Sequence, residues 1–385
     1  MSGPAPVPEA NPRAPGEDEE DEAHPPRFEL SKRNGIAFAL FLVLAIGALY
    51  FLLPRLAGLE DTWQRIEQGS PFWLLVALLF TFGMFGGYML LFQRVFGRDG
   101  IQLSLRESYQ VTMAGLAATR LFSAGGAGGL VLTAWAMRRA GMGARTVADK
   151  TISFLTLTYL VYMLSLIVFG FGLRFGVFGG SDPFTLTVIP ATLALIVTVL
   201  GLSIAFVPTD FERRLQSMAL RRGRIGRLAQ RLATLPATAS RGIRDALAHL
   251  RTGDPALLGA IAYWAFQIAV LWAAFKAFGE APPMAVIVIA FFVGMLGNLL
   301  PLPGGVGGVD GGMIGAFAAL NVDAGLAVVA VLVYRGFTFW LPTIPGVFAY
   351  LQLRTTVERW TAERRAARAL GATTPAPDTA LHYTN

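Results

Sequence analysis

The chain has 385 residues, of which 54% are hydrophobic and 15% are charged, whereas a typical soluble domain has about 25% charged residues. The formal net charge is +7, but the basic residues lie mostly in the connections between apolar segments. This pattern indicates membrane topology and argues against nucleic-acid binding. The sequence contains no cysteine, which excludes disulfides and thiolate chemistry. The three histidines lie outside the apolar segments, so we expect no metal site and no cofactor.

The first element in chain order is the segment 1–30, which is rich in proline and contains the acidic run 17–22. It cannot bury enough apolar surface to fold alone and is expected to be a disordered cytoplasmic tail. Six apolar segments follow, each long enough to cross a hydrocarbon core of about 30 Å as a helix. They span residues 35–53, 72–92, 151–173, 184–207, 255–278 and 324–350.

Arginine and lysine predict the orientation of these segments. Basic residues precede the first segment, follow the second, precede the third, fill the connection 209–254 and follow the last, whereas the opposite connections contain only Arg55, Arg65 and Arg174. Both termini are therefore predicted to be cytoplasmic, in a multi-pass protein of the plasma (inner) membrane. Five tryptophans are for the most part expected in the interface belts: Trp63, Trp73, Trp264, Trp272 and Trp340.

Two apolar stretches remain, 104–137 and 282–322, and each contains a glycine signature near its middle. The charge pattern predicts that the first enters and leaves on the cytoplasmic side and the second on the outer side. Because their second arms are too short to cross the core, we interpret both as re-entrant hairpins; short, tilted full spans are the alternative. The signature glycines are Gly125, Gly126, Gly128 and Gly129 in the first stretch and Gly304, Gly305, Gly307 and Gly308 in the second.

The order span, span, hairpin, span then occurs twice, and three crossings per half give the second half the opposite orientation. The predicted fold is an all-α polytopic membrane protein with six full transmembrane helices, two glycine-rich re-entrant hairpins and an inverted repeat. In linear order we expect a tail at 1–30, a first transmembrane half at 31–207, a basic cytoplasmic connection at 208–254, a second, inverted half at 255–353 and a basic to disordered cytoplasmic tail at 354–385.

Glycines at the hairpin tips permit positive φ angles and a close approach of the backbone to a ligand. A tip also places the N-terminus of the outgoing helix inside the membrane, where its free N–H groups and partial positive charge suit a phosphate or carboxylate. The competing interpretation is that these glycines only permit tight helix packing, as small residues do throughout membrane proteins. Two clusters at matching places in inverted halves favour a transport site.

Ionisable side chains within apolar segments are costly and are candidates for function. Arg335 lies near the middle of the last span, Asp310 follows the second glycine signature, and Arg120 and Asn298 precede the first and the second signature. The guanidinium groups of Arg120 and Arg335 suit a phosphate-bearing head group. Asp310 is predicted to balance Arg335 in an ion pair, to cap the helix that follows, or to bind a coupling proton.

Two motifs resemble a known family. The stretch Pro303-Gly304-Gly305-Val306-Gly307-Gly308-Val309-Asp310, followed by Tyr334-Arg335-Gly336-Phe337-Thr338-Phe339-Trp340-Leu341-Pro342, resembles the C-terminal signature of the lysylphosphatidylglycerol synthase transmembrane region, the flippase-like membrane domain family. The stretch 124–129 and Arg138-Arg139-Ala140-Gly141 resemble its N-terminal half-signature. The family often has Glu where this chain has Asp310, and an acidic residue where Leu130 and Val131 stand here.

The resemblance implies translocation or handling of an anionic phospholipid or a lipid-linked saccharide of the cell envelope. The segment after Tyr350 is too short for an aminoacyl-transferase domain, so we expect a stand-alone member that is not an enzyme, with no catalytic residues. The alternatives are an ion-coupled small-solute transporter and a non-catalytic partner of an envelope-synthesis enzyme; a homo-oligomer is a further expectation. The residues predicted to contact the lipid are Arg120, the eight signature glycines, Asn298, Asp310, Tyr334 and Arg335.

Overall fold

The computed structural model describes residues 69–97, 103–121, 127–206, 224–299 and 305–369. All regular elements in these ranges are helical. The first predicted span, 35–53, lies outside the described residues, as do the tail 1–30, the glycines Gly125, Gly126 and Gly304, and the last part of the C-terminal tail.

We number the helices in chain order. They are α1 (Pro71–Phe96), α2 (Leu105–Leu121), α3 (Ala127–Ala140), α4 (Ala144–Arg174), α5 (Phe184–Ser203) with a 3₁₀ turn (Ile204–Phe206), α6 (Arg224–Arg251), α7 (Pro255–Phe278), α8 (Met284–Met295) with a 3₁₀ turn (Leu296–Leu299), α9 (Gly308–Ala319), α10 (Ala324–Arg335), a π-helical segment (Gly336–Trp340) and α11 (Leu341–Ala369).

Five helices in the described part are long and apolar enough to cross a membrane: α1, α4, α5 with its 3₁₀ turn, α7, and the continuous run from α10 into α11. They coincide with the five predicted spans that fall within the described ranges, so the prediction of an all-α, multi-pass membrane protein is confirmed. The last helix continues to Ala369, far beyond the predicted end of the span at residue 350. The plasma membrane and the cytoplasmic termini stay predictions.

Two of the spans begin where the sequence places helix-start signals. The Asp254 side chain accepts a hydrogen bond from the Ala256 N–H at 2.8 Å, and Pro255 occupies the first helical position of α7. The Asp323 side chain accepts one from the Leu326 N–H at 2.8 Å at the start of α10. Both arrangements satisfy N–H groups that have no partner inside the helix.

The helices α2 and α3 form one antiparallel hairpin, and α8 and α9 form another. At 1.5 Å per residue the four arms are about 25, 21, 18 and 18 Å long, each shorter than the roughly 30 Å hydrocarbon core. Each glycine-rich stretch therefore forms a pair of short antiparallel helices, and the re-entrant character of these pairs stays a prediction. The six-plus-two count of membrane elements, the entry of the hairpins from opposite faces and the inverted repeat stay predictions.

Glycines bring α1 and α7 into backbone contact along an antiparallel pair. A Cβ atom at Gly259 would lie 2.6 Å from the Leu91 nitrogen and 2.8 Å from the Gly87 oxygen. Larger side chains at these positions would separate the two helices. This is the packing that small residues permit between helices in membranes, where dispersion contacts replace the hydrophobic effect as the main attraction.

Buried apolar side chains form two clusters at opposite ends of the bundle. The first is centred on α8, whose residues 285–292 are all buried, and includes Phe275 of α7 and Phe317 of α9. The second collects residues nearer the predicted cytoplasmic ends, among them Phe96 and Leu353. The apolar side chains of α8 are therefore covered by other parts of the protein on all sides of the helix.

The basic connection contains α6, which packs on α4 through charged pairs. Lys150 is buried with its Nζ 3.1 Å from Asp245 Oδ1, and the His249 ring lies between Asp245 and Asp254 at 3.7 and 3.3 Å. Burial raises the pKa of the Asp245 carboxyl, but the adjacent His249 ring and the charge of Lys150 outweigh burial and hold that pKa below its usual value. The connection is thus anchored to the membrane bundle through this polar cluster.

Candidate functional site

A cavity of about 540 Å³ lies between the two apolar clusters. Four of the five spanning helices in the described part, α1, α4, α7 and the run that begins with α10, line it with residues from about their middle to their predicted cytoplasmic ends, such as Tyr88 and Phe96 of α1. The opposite halves of these helices pack into the first cluster. Both hairpins reach the cavity near their tips, the first with Thr119, Gly129 and Leu130 and the second with Asn298, Leu299 and Gly305.

Arg120, at the end of α2, lines this cavity and is held by neutral groups. Its Nη2 donates to the Thr338 carbonyl oxygen at 2.7 Å and its Nη1 to the Thr343 hydroxyl at 3.3 Å. The Thr338 carbonyl is available because Pro342, four residues later, has no N–H to donate to it. No carboxylate of the described residues lies within ion-pair distance of Arg120, in contrast to Arg335.

Arg335 also lines the cavity, but unlike Arg120 it forms an ion pair with a carboxylate, that of Asp310. Its Nε lies 2.6 Å from Asp310 Oδ1, and the two side chains are 8% and 1% exposed. The second carboxylate oxygen of Asp310 accepts a hydrogen bond from the Gly307 N–H at 2.8 Å, at the start of α9. Asp310 therefore makes both the ion pair and the cap that the sequence left as alternatives, and it links α10 to the second hairpin.

The Phe339 ring joins the two arginines. The Arg335 and Arg120 guanidinium carbons lie 4.3 and 5.1 Å from its centroid, both within the range of cation–π attraction. Phe339 belongs to the π-helical segment that separates α10 from α11. Such segments interrupt regular α-helices frequently at functional sites, and here the segment presents the ring and the Thr338 carbonyl to the cavity.

The described glycines of the first signature serve helix packing. A Cβ atom at Gly128 would lie 2.7 Å from the Ala118 oxygen, and one at Gly129 would lie 2.5 Å from the Gly115 oxygen. The Gly129 N–H donates to the Thr119 hydroxyl at 3.0 Å. Gly129 lines the cavity and Gly128 faces the other arm. These contacts favour the interpretation of tight packing at this tip.

The described glycines of the second signature serve different purposes. Gly305 and Gly307 have φ angles of +65° and +84°, which favour glycine. Gly305 lines the cavity against the Asn298 side chain, and the backbone of Gly308 lies against Gly297. This tip therefore needs glycine both for backbone conformation and for close packing.

Gln267 was missed by reasoning from sequence alone. It lies in the middle of α7, is 5% exposed and lines the cavity, and its Oε1 accepts a hydrogen bond from the buried Tyr334 hydroxyl at 2.9 Å. A polar amide at the centre of an apolar span was the available signal, since such groups are costly there. The prediction that Trp264 lies in an interface belt is wrong, because it is 7% exposed and its indole N–H donates to the Thr158 carbonyl at 2.8 Å.

Exposed apolar side chains line part of the cavity. Tyr159 of α4 is 52% exposed, Leu130 of α3 36%, and Leu296, after α8, 41%. The three come from three different elements and all belong to the lining. Leu299 is exposed at the same edge, and Asn298 is the one purely polar side chain among the exposed lining residues that the structure describes. The exposed edge is therefore mostly apolar, while the two arginines are less exposed.

Comparison with known proteins relates the whole arrangement to a family. Residues 36–346 match the family described as Lysylphosphatidylglycerol synthase TM region. A UPF0104 membrane protein of Methanothermobacter thermautotrophicus is 23% identical over 337 residues, covering 83% of this chain and 95% of the relative. Two shorter matches to UPF0104 membrane proteins of that organism, 36% identical over 87 residues and 37% over 84, cover a quarter of the relative. Since the family match covers most of the chain, this membrane protein belongs to the family of the lysylphosphatidylglycerol synthase TM region.

Proposed function

We propose that the protein binds the head group of an anionic membrane lipid in this cavity and translocates it between the leaflets. The observation that carries the proposal is Arg120, a cation without a carboxylate partner among the described residues, inside a cavity whose exposed edge is mostly apolar. The proposed role is transport, without a chemical step on the lipid.

The charges of the cavity favour an anion. Arg120 and Arg335 bring two positive charges to the lining, and Asp310 compensates one of them. A guanidinium group removed from water requires a partner of opposite charge or good hydrogen bonds. A phosphate would supply both, since its oxygens accept the paired N–H groups of arginine.

The apolar edge favours a lipid over a water-soluble anion. Tyr159, Leu130 and Leu296 are exposed where the cavity meets the surroundings of the protein. In a membrane these side chains would contact hydrocarbon, so that a head group could enter while its acyl chains stay in the bilayer. A soluble phosphate or carboxylate would meet only the Asn298 amide and the Tyr159 hydroxyl as polar side-chain groups among the described exposed lining residues.

The hairpins fit a transport cycle. We infer that they are re-entrant and enter from opposite faces, as the positive-inside pattern predicts. The lining then lies on the cytoplasmic side of the midplane, and the packed cluster around α8 closes the outer side. Translocation would require an alternative packing of these elements that opens the outer side, as in transporters built around discontinuous helices.

The arginines have different parts in this proposal. Arg335 belongs to the framework, because its bond to Asp310 connects α10 to the second hairpin. Arg120 is the primary contact for the phosphate, because its hydrogen bonds to Thr338 and Thr343 orient it without neutralising its charge.

The test is a leaflet-accessibility assay on reconstituted vesicles. Fluorescent phosphatidylglycerol and phosphatidylcholine are compared for the parent and for Arg120→Gln, which removes the charge and keeps a donor. Losing one charge-assisted hydrogen bond of about 1.5–3 kcal/mol corresponds to a roughly 10- to 100-fold slower transfer of phosphatidylglycerol. Arg94→Gln is the matched control, because Arg94 is exposed at the end of α1 and outside the cavity lining.

Two results would contradict the proposal. One is equal transfer of phosphatidylglycerol and phosphatidylcholine by the parent protein. The other is an Arg120→Gln protein that is folded and transfers phosphatidylglycerol at the rate of Arg94→Gln. Uptake of a soluble phosphate compound without lipid movement would instead identify a small-solute transporter.

A further inference from the structure

The wall of the cavity beyond the arginines is formed by a row of aromatic rings. Tyr263 lies 4.9 Å from Tyr88 and 4.9 Å from Trp264, measured between ring centroids. Trp264 lies 5.6 Å from Tyr162, which lies 6.3 Å from Tyr159. All five rings belong to the lining. They present a broad face that can pack against carbon-bound hydrogens or against a cation.

Gln267 adds a buried donor beside this row. The Tyr334 hydroxyl donates a hydrogen bond to the Gln267 Oε1. The amide nitrogen, Nε2, has no hydrogen-bond partner of good geometry among the described residues. The Tyr263 hydroxyl lies near Gln267 in the wall but does not meet hydrogen-bond geometry with this nitrogen. A buried polar group without a hydrogen bond is costly, which makes this nitrogen a place where a ligand oxygen is expected.

Three threonines of the wall present hydrogen-bond acceptors. Thr112, Thr151 and Thr158 line the cavity, and each donates its hydroxyl hydrogen at 2.7 Å to a carbonyl one turn earlier in its own helix. Their oxygen lone pairs can therefore still accept hydrogen bonds. A ligand that meets these oxygens must bring its own N–H or O–H donors.

The charges of the cavity lining determine which kind of donor group a ligand can bring to this wall. The described lining contains two arginines and no aspartate or glutamate. An ammonium group could lie on the aromatic faces but would have no carboxylate partner, and it would share the cavity with two guanidinium groups. A hydroxyl group meets no such repulsion, and the carbon skeleton that carries it packs well on aromatic rings.

We propose that Gln267, with Tyr263 and Trp264, forms a second subsite for an uncharged, hydroxyl-bearing part of the head group, glycerol or a sugar-like ring, joined to the phosphate near Arg120. This inference rests on the proposed function. It adds that the protein distinguishes anionic lipids by the group beyond the phosphate.

The test measures binding of short-chain lipids to the purified full-length protein in detergent by native mass spectrometry. The probes are phosphatidylglycerol, phosphatidylinositol, phosphatidic acid, which lacks a hydroxyl-bearing group, and phosphatidylethanolamine, which carries an ammonium. The parent is expected to bind phosphatidylglycerol or phosphatidylinositol about tenfold tighter than phosphatidic acid, the effect of one hydrogen bond of ordinary strength. Whichever of the two binds tighter shows whether the preferred group is glycerol or ring-shaped.

Gln267→Leu should remove this preference and leave the affinity for phosphatidic acid within twofold of the parent. Gln352→Leu, at an exposed position of α11 outside the cavity, is the matched control and should keep the preference. Gln267→Glu keeps the volume and the acceptor for Tyr334 but adds a negative charge, so it should weaken phosphatidylglycerol binding more than tenfold. This second variant tests the donor even where the leucine variant fails to fold.

The subsite is refuted by a folded Gln267→Leu protein that keeps the full preference, or by a parent protein that prefers phosphatidylethanolamine. Failure of the subsite alone leaves phosphatidic acid bound in a manner that depends on Arg120. Failure of the proposed function itself leaves no anionic lipid bound more tightly than phosphatidylethanolamine, and Arg120→Gln without effect.

Discussion

Replacing Asp310 by asparagine should destabilise the protein strongly while changing few atoms. Asp310 is 1% exposed and its carboxylate lies 2.6 Å from the Nε of Arg335, whose side chain is 8% exposed. The amide of Asp310→Asn can still accept a hydrogen bond from the Gly307 N–H, so the cap is kept and the charge is lost. Removing one partner of a buried pair leaves an uncompensated charge and costs about 3–5 kcal/mol.

The measurement is equilibrium unfolding in detergent micelles, with sodium dodecyl sulfate as the denaturant and circular dichroism as the signal. Asp182→Asn is the matched control, because Asp182 pairs with Arg174 at 3.1 Å while both side chains are about half exposed. Exposed pairs contribute only about 0–1 kcal/mol. The contrast between the two asparagine variants therefore reports burial, with the chemical change kept the same.

A double-mutant cycle sharpens the test. Asp310→Leu with Arg335→Met removes both charges, and replacing a buried pair by apolar residues is often close to neutral. The double variant should be more stable than either single variant, so the coupling energy should exceed about 3 kcal/mol. The reasoning is refuted if Asp310→Asn unfolds within about 1 kcal/mol of the parent, or if the two single effects simply add.

Three further predictions concern other parts of the fold. Gly259→Ala should lower stability by about 1–3 kcal/mol through overpacking. Gly86→Ala on α1, where an added Cβ atom meets nothing within 4 Å, should raise stability by up to about 1 kcal/mol. Equal thermal-unfolding midpoints of the two variants would contradict the backbone contact between α1 and α7. Pro342→Ala supplies an N–H that competes with Arg120 for the Thr338 carbonyl. Phosphatidylglycerol transfer should therefore fall about tenfold, the effect of losing one hydrogen bond, with little loss of stability. The pKa of Asp245 is held below its usual value, so the stabilising contribution of this carboxylate is present above about pH 4 and is lost as the pH falls further. Below about pH 4 the unfolding midpoint in detergent should therefore depend more on pH in the parent protein than in Asp245→Asn. Equal pH dependence of the two proteins would contradict this.

Hydropathy predicted the spanning helices well. The predicted segment 255–278 and the observed helix Pro255–Phe278 have the same bounds, because a long apolar run preceded by Asp254 and Pro255 contains both the driving force and the start signal. The two glycine-rich stretches were also predicted to fold as pairs of short helices, because their second arms are too short to cross the core; their re-entrant character stays a prediction. In each case the property lies within a continuous stretch of sequence.

The roles of the charged residues were harder to predict. Arg120 and Arg335 are equivalent in sequence terms, as arginines near a glycine signature or in mid-span, and both were predicted to contact a head group. The structure pairs Arg335 with Asp310 and leaves Arg120 on neutral partners. The pair of Arg335 with Asp310 was among the predicted alternatives. The partners of Arg120 were not predicted, because Thr338 and Thr343 are 218 and 223 positions away in sequence and meet it only where the helices pack together.

The contribution of Gln267 and of the aromatic row also depends on packing. Tyr88, Tyr162 and Trp264 lie on three different helices, and in the sequence each looks like an ordinary residue of an apolar span. The π-helical segment at Gly336–Trp340 likewise has no sequence signal that we used, apart from the prolines that follow it. Only the assembled bundle brings these groups to one wall.

The sequence by itself determined that this chain is a multi-pass helical membrane protein with two broken, glycine-rich elements, since transfer of apolar helices into lipid depends on local composition and length. The tertiary structure alone decided which cation is compensated, which glycines serve packing and which adopt positive φ, and which side chains share a cavity. These properties are sums of contacts between distant segments, and such contacts exist only once the helices have packed.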